Sequence, residues 1–452
     1  MINTIYISNI LECFYKSYLQ MTPKKKHHWI LHDSVEGNRA LFYGKDKKAI
    51  ITTHPIKTEY LCYIKQIMGW KEVINLFPQP YTYSLSNDLL GNTQFHQQFV
   101  DVIKKNPGAD IIPYRTTPEF SRLVNYLKEM DLPFSLPETL PEDTVFVHTY
   151  TNSKRGFRHI WNRSVSGTPI GRKVLIPQGF ITTGQEEAIE AAWWFQAQKR
   201  SFVIKYNFGV SGSGVKLLQY NELPNTKQDF VKKMKSRLSS PLWNSPCIVV
   251  EEYIEPDQTI FGGSPSIEFF IDVAGGVHRT FPCEQLLEDD NKTFCGVYIH
   301  PDVTKSDAIR SAYQAGALFG KELAQLGYKG YFDVDLVMSK NGQIYAVESN
   351  LRRTGGTHTY EFARNFLGNN FMSKYYVASE DIRLPKSRRI EYNKVTDALA
   401  DILINNERKT GVIVYNPAML AVNRLCVFIV ALSHEEIMQI RKKIIKRIGI
   451  RN

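Results

Sequence analysis

The chain has 452 residues, which at roughly 150 residues per domain corresponds to about three domains. Apolar residues make up 43%, charged residues 22% and aromatics 12%, which excludes a mainly disordered chain, a coiled-coil rod, a collagen and a disulfide miniprotein. The formal charge of +11 favours acidic partners, although six of the positive charges lie between Arg441 and Asn452.

Through the first 130 residues strand-like and helix-like segments alternate. KAIITTH (Lys48 to His54), EVINLF (Glu72 to Phe77) and ADIIPY (Ala109 to Tyr114) read as strands. EYLCYIKQIMGW (Glu59 to Trp70) and FHQQFVDVIKK (Phe95 to Lys105) carry apolar residues at helical spacing, and a further helix opens with Thr117 as N-cap and Pro118 in first position. That alternation predicts an α/β layer domain with a mostly parallel sheet. Pro133, Pro137 and Pro141 then mark a boundary. Beyond it a strand at Lys173 to Ile176 leads to a helix with a capping box, Thr183-x-x-Glu186. FVIKY and VKLLQ flank a glycine-rich loop, IVVEEYI and SIEFFID are further strands, and a helix runs from about Ser306 to a cap at Gly327. YFDVDLVM and QIYAVESN form a hairpin around Asn341-Gly342. GVIVY, LCVFIVAL and a basic helix opened by Ser433-x-x-Glu436 close the chain, with Ile437, Ile440, Ile444 and Ile448 as its packing face.

Six cysteines without a CxxC pair suit reduced thiols in cytoplasm. Glu12 interrupts any signal-like apolar run near the start, and the stretch Leu425 to Leu432 falls far short of the roughly 20 residues a membrane span needs. The expectation is a soluble cytoplasmic protein with neither a nucleic-acid nor a membrane partner.

Two features carry chemistry. The loop Gly209-Val-Ser-Gly212-Ser-Gly214 offers backbone N–H groups to phosphate oxygens, and Lys205 precedes it on the same strand. No helix follows as a dinucleotide-binding fold would require, and no Walker lysine is present. An ordinary tight hairpin with a solvated lysine is the plain alternative. At the second site Asp335, Glu348 and Asn350 converge at one end of the Asn341-Gly342 hairpin, a hard-oxygen set suited to Mg²⁺. A polar face making cross-strand contacts is the alternative there.

In order, FVIKYNFGVSGSGVKLL, IVVEEYI and DLVMSKNGQIYAVESNLRR resemble the ATP-grasp superfamily over roughly residues 151–370. Among its branches the chain looks most like pheganomycin-type peptide ligases, carboxylate–amine ligases with a leading pre-ATP-grasp domain. The resemblance implies an α/β pre-ATP-grasp domain at 1–140 and a two-lobed α+β ATP-grasp domain at 141–380. Its small lobe spans about 175–255 and its large lobe about 256–380, with nucleotide between two antiparallel sheets. Residues 381–452 would form a C-terminal strand pair and helix, separate or part of the large lobe.

For the site, the resemblance implies ATP held by Lys205, by Gly209, Ser211, Gly212, Ser213 and Gly214, and by the adenine-binding strand end Glu251, Glu252, Tyr253 and Ile254. Glu268 is assigned to the ribose, with Asp257 and Gln258 as alternatives. An earlier lysine is Lys154, with Lys173 as its rival. The metal ligands are Asp335, Glu348 and Asn350, for Mg²⁺ with Mn²⁺ as the alternative. Glu348-Ser-Asn350-Leu-Arg352 resembles the ligase E-x-N-x-R signature, so Arg352, with Arg353 beside it, would steady an acyl phosphate or oxyanion. Arg279 is expected near the γ-phosphate or a carboxylate. Gly355-Gly356 offers a backbone cradle, and His358 reads as a hydrogen-bonded structural histidine rather than a base. The implied activity is ADP-forming ligation of a small-molecule or peptide carboxylate to an amine, with a homodimer as one expectation. An ATP-grasp kinase and a non-catalytic nucleotide-binding regulator are the rival readings.

Overall fold

Strand alternation decides how the first layer meets the rest of the protein. The computed structural model describes residues 1–19, 21–91, 93–140, 145–209, 214–288, 293–385, 390–405 and 407–449. In it β1 (Thr4–Ile7), β2 (Lys48–Ile51), β3 (Val73–Leu76), β4 (Ala109–Pro113) and β5 (Phe134–Ser135) form a sheet in the order β3-β2-β1-β4-β5. All its pairings are parallel, with helices Thr58–Met68, Thr93–Lys105 and Pro118–Glu129 among its connections. The Thr117 hydroxyl accepts from Phe120 N at 3.0 Å, the cap expected for the third of these. Ile5, Ile7, Ala49, Ile51 and Ile111 point into one apolar cluster. Their neighbours Tyr6, Ile50 and Ile112 point to the other face and join a second. A parallel sheet must be covered on both sides, and here helix Thr58–Met68, the turn Gly37–Phe42 and one face of the large sheet described below share the second cover.

The next chain segment contributes β6 (Val174–Leu175) to that large sheet. Then β7 (Gly179–Thr182), β8 (Phe202–Tyr206), β9 (Val215–Leu218) and β10 (Ile248–Glu252) form an antiparallel sheet in the order β7-β10-β8-β9. Phe202, Ile204, Ile248 and Val250 pack on helices Gln185–Ala197 and Lys227–Arg237. Alternation therefore turns Lys205 and Glu251 away from those helices. The expected capping box is shifted by one residue: the helix starts after Gly184, and Thr183 donates to Glu187 rather than Glu186.

The large sheet takes β11 (Pro265–Ile271), β12 (Val277–Glu288), β13 (Thr293–Ile299), β14 (Gly330–Met338), β15 (Ile344–Glu348), β16 (Tyr376–Arg383), β17 (Gly411–Val414) and β18 (Arg424–Ala431). Its order is β17-β18-β16-β13-β12-β11-β14-β15-β6. The C-terminal strand pair thus extends this sheet, β18 pairing along the whole of β16. Helix His434–Ile448 buries Ile437, Ile440, Ile444 and Ile448 against it, and its Ser433 cap accepts from Glu436 N. Among the described residues no helix is long and apolar enough to cross a membrane.

Candidate active site

The β14–β15 hairpin sets Asp335 directly opposite Glu348. Between them and the next pair, Leu336 opposite Ala346, the register shifts and Val347 is left without a cross-strand partner. Asn350 follows the end of β15. Its orientation is set by Asp333, two residues before Asp335 and on the same face. Asp333 accepts from the Asn350 backbone N at 2.7 Å and from Nδ2 at 3.1 and 3.3 Å. Nδ2 also lies 3.3 Å from Asp335, while Asn350 Oδ1 accepts from Arg352 Nη2 at 3.0 Å. Gln285 on β12 donates to Asp335 Oδ1 at 2.9 Å. Burial, with the Glu348 charge opposite, pushes the Asp335 carboxyl up to about 6, and burial beside Asp335 raises Asp333 well above the usual range. The crowded carboxylates fit a hard divalent cation, whose charge would relieve that crowding, while Asn350 turns Nδ2 to Asp335 and Oδ1 to Arg352.

Two lysines meet this cluster from different elements. Ser153 caps the helix Lys154–Trp161, its hydroxyl accepting from Gly156 N at 3.0 Å, and the Lys154 ammonium pairs with Glu348. Lys173 is exposed, so the ammonium at the cluster is that of Lys154. Lys205 pairs with Glu251 and reaches across to the Val347 carbonyl at 3.3 Å, the group freed by the register shift. Arg158 holds the other Glu251 oxygen at 2.9 Å. Asn207 ties the two lysine-bearing elements together: its carbonyl accepts from Lys154 N and its Oδ1 from Arg155 N, both at 3.0 Å. Both carboxylates of the expected adenine strand are thus engaged, Glu252 by Arg200 and by Gln178 N. Tyr253 N donates to the Ser201 carbonyl at 3.0 Å, and Ile254 follows it half-buried.

Arg352 is braced from the first domain, its guanidinium 5.6 Å from the Phe14 ring centre and 5.7 Å from that of Tyr114. The turn carrying it is held at Leu351, whose N donates to Asn152 at 2.7 Å and whose carbonyl is 2.9 Å from His148 Nε2. Burial lowers His148 to about 3, which keeps the ring neutral and Nε2 a donor to that carbonyl.

No protein-family model matches the sequence, and no curated protein matches it. Solved structures do. A biotin carboxylase β,γ-ATP complex from Campylobacter jejuni superposes with a TM-score of 0.58 at 12% identity, over 99% of this chain and 91% of that one. The ADP complex of an N5-carboxyaminoimidazole ribonucleotide synthetase gives 0.54 at 13%, covering 98% and 96%. An N5-carboxyaminoimidazole synthase from Aspergillus clavatus, with ADP and its aminoimidazole ribonucleotide, gives 0.53 at 11%, covering 99% of both chains. The chain has the ATP-grasp fold.

Within that ATP-grasp architecture three expected residues stand elsewhere. Glu268 is 2% exposed, with Oε2 accepting from the Thr354 and Thr357 hydroxyls at 2.6 and 2.8 Å and Oε1 buried, so its burial keeps it from a ribose. Of its alternatives, Asp257 lies at the chain crossover after β10, its N donating to the Met338 carbonyl, with Gln258 exposed beside it. Arg353 is 3% exposed, forks onto Glu138 and stacks on Tyr6, Tyr43 and Tyr331; it braces the first domain rather than facing the cluster. Arg279 sits six residues along β12 from Gln285, roughly 20 Å at strand rise, too far to reach phosphate at Asp335. Gly355 and Gly356 serve packing instead of a cradle, since a Cβ there would lie 2.5 Å from Phe294 and 2.9 Å from Phe281. His358 is buried against Tyr415 and Phe428 with neither ring nitrogen hydrogen-bonded, and burial drives its pKa far down. Gly209 N donates to Tyr206, and Gly214, at φ +79°, accepts from Tyr206 N. Ser211, Gly212 and Ser213 lie outside the described residues.

Asp333, Asn207 and His148 escaped the sequence reading of the site. Asp333 had a signal: Asp333 and Asp335 alternate on one strand and so share a face.

Proposed function

We propose that this protein is an ATP- and Mg²⁺-dependent ligase that activates a carboxylate as an acyl phosphate and joins it to an amine, releasing ADP and phosphate. The observation that carries this reading is the convergence at the end of β15. There Glu348 faces Asp335 and is paired by Lys154, while Lys205 from the other lobe touches the adjoining Val347 carbonyl. Carboxylates gathered with two buried, ion-paired ammonium groups suit a site that handles a charged phosphate chain by positioning and electrostatics. Asp335, Glu348 and Asn350 would hold Mg²⁺, or Mn²⁺, which when bound neutralises phosphate charge. Lys154 and Lys205 bind phosphate oxygens, and Gly209 and Gly214 bound the glycine-rich loop. Tyr253 and Ile254 present the backbone edge to adenine, and Asp257 takes the ribose. Arg352, already within hydrogen-bond reach of Asn350, steadies the oxyanion as the amine attacks. The ATP and ADP carried by the structurally similar proteins support the nucleotide assignment.

The bond formed is a peptide or peptide-like amide, as in the pheganomycin-type ligases. The leading α/β domain and the sequence from SPSIEFFID through Gln285 support that choice. The acid and amine are small molecules or peptides, and the setting is cytoplasmic.

The test is turnover with Mg-ATP and pooled amino acids and dipeptides, with and without hydroxylamine. ADP, phosphate and hydroxamate are expected together. Glu348→Gln should lower all three by about 100-fold or more while the unfolding midpoint holds. AMP as product, or ADP without phosphate and hydroxamate, would overturn the ligase mechanism, and full activity in Glu348→Gln would remove the metal assignment.

A further inference from the structure

The two arginines displaced from the cluster meet elsewhere. A cavity of about 360 Å³ lies between the first domain and the large sheet, its wall including Arg279 and Arg353 together with Arg364 of helix Thr357–Leu367. Tyr6, Phe270, Tyr331 and Tyr360 supply aromatic surface. Tyr331 precedes Asp335 by four residues on β14, which puts this wall roughly 13 Å from the metal-type cluster. The volume falls within the range of small-molecule sites.

Its polar groups are unevenly satisfied. Glu138 is taken by Arg353, and Glu361 accepts from Gly44 N and, at 2.8 Å, from the Tyr331 hydroxyl. His278 pairs with Asp272. Arg364 and Arg279 instead lie against the Tyr360 and Tyr313 rings, at 5.3 and 5.4 Å, and neither forms an ion pair among the described residues. Two further donors in the wall, Thr280 Oγ1 and Arg353 Nε, are buried with no hydrogen-bond partner, and Arg353 itself is 3% exposed. Each such orphan costs roughly 1–3 kcal/mol, which an acceptor inside the cavity would recover. Arg364 thus lines the cavity without an ion-pair partner among the described residues, which favours an anionic group there, whereas Arg279, opposite Phe269 on β11, turns its guanidinium to Tyr313 on the other face of the sheet.

We propose that this cavity binds a small monocarboxylate with an aromatic or apolar body, at a site separate from the nucleotide cluster. Its carboxylate accepts from Arg364 and the Thr280 hydroxyl, and its body lies on the tyrosine and phenylalanine faces. The same chemistry serves a substrate awaiting reaction or a ligand that is never consumed.

The experiment uses the full chain and a matched pair of probes, 3-phenylpropionate and its neutral amide, titrated calorimetrically, with Mg-ATP titrated in parallel. Saturable binding of the carboxylate is expected, with the amide weaker by about tenfold or more. Arg364→Gln should weaken the carboxylate about tenfold. Thr280→Val should weaken it severalfold at an unfolding midpoint equal to or above wild type, because removing an unpartnered buried hydroxyl costs the fold nothing. Mg-ATP binding should be unchanged in both variants. Equal binding of amide and carboxylate, undiminished binding in both variants, or no saturable binding would each overturn the site. Consumption of the bound acid with Mg-ATP would mark it as substrate, and its persistence as a non-reacting ligand. Either supports the site. Since nucleotide binding is read separately, failure here leaves the ligase reading standing, and the reverse also holds.

Discussion

Asp333 shows how one side chain governs another's chemistry. It accepts from both the Asn350 backbone N and the amide Nδ2, so the amide oxygen is turned toward Arg352. Glu268, its cross-strand neighbour, shows what burial does to a carboxyl without a cation. Burial pushes it up to about 8 from an ordinary 4.5, against the opposing help of Thr354 and Thr357. Between those values the native state carries a proton that the unfolded chain has lost, so this residue makes stability fall as pH rises from about 4.5 to 8. Glu268→Gln removes the titration at nearly constant volume. Its thermal midpoint should therefore gain on wild type steadily across that window. Parallel midpoint curves would show that Glu268 ionises normally in the folded protein.

At the scale of elements, the β14–β15 hairpin does two jobs with one irregularity. The register shift after Asp335 keeps that residue opposite Glu348 and frees the Val347 carbonyl for Lys205. Spacing in the sequence was enough to bring Asp335 to the Glu348 end, because a hairpin turn makes pairing local. The shift itself was not legible, since it depends on what approaches from the small lobe. The C-terminal helix is a simpler case. Its isoleucines repeat at helical spacing, and all four are buried on the β16–β18 end of the sheet. Ile444→Ala, at a fully buried position, should cost about 2–5 kcal/mol in denaturant unfolding. A loss under about 0.5 kcal/mol would mean that the helix contributes little to the sheet it covers.

Over the whole molecule, the boundary at the proline-rich stretch separates sheets but not cores. Phe42 of the first domain packs edge-on against Phe362 and Phe428 of the large sheet layer, with ring centres 5.7 and 5.0 Å apart. The cluster around them draws on residues from Tyr6 to Val430. Arg353 and Glu138 fasten the same junction with a buried ion pair, and Arg352 reaches its aromatic brackets only because the first domain sits there. Phe42→Ala should therefore cost about 3–5 kcal/mol and lower the unfolding midpoint of both layers together. An unfolding trace in which the first domain melts alone, with the large sheet unaffected, would contradict a shared core.

The sequence alone determined what depends on near neighbours along the chain. That covers the alternating α/β segments, the caps at Thr117 and Ser433, and the hairpin at Asn341-Gly342. Each follows from a period of two or 3.6 residues, or from a side chain bonding within its own turn. Tertiary structure alone decided the rest: the short strands β1 and β5, the joining of β17 and β18 to the large sheet, and the fates of Arg353, Arg279 and Glu268. The two-residue β5 carries too little periodic signal to be seen without its partner. For the charged residues the reason is the same at longer range. An arginine or buried glutamate takes its role from whichever group lies across the fold, and the separation of 215 positions between Glu138 and Arg353 leaves no local pattern to announce that they meet.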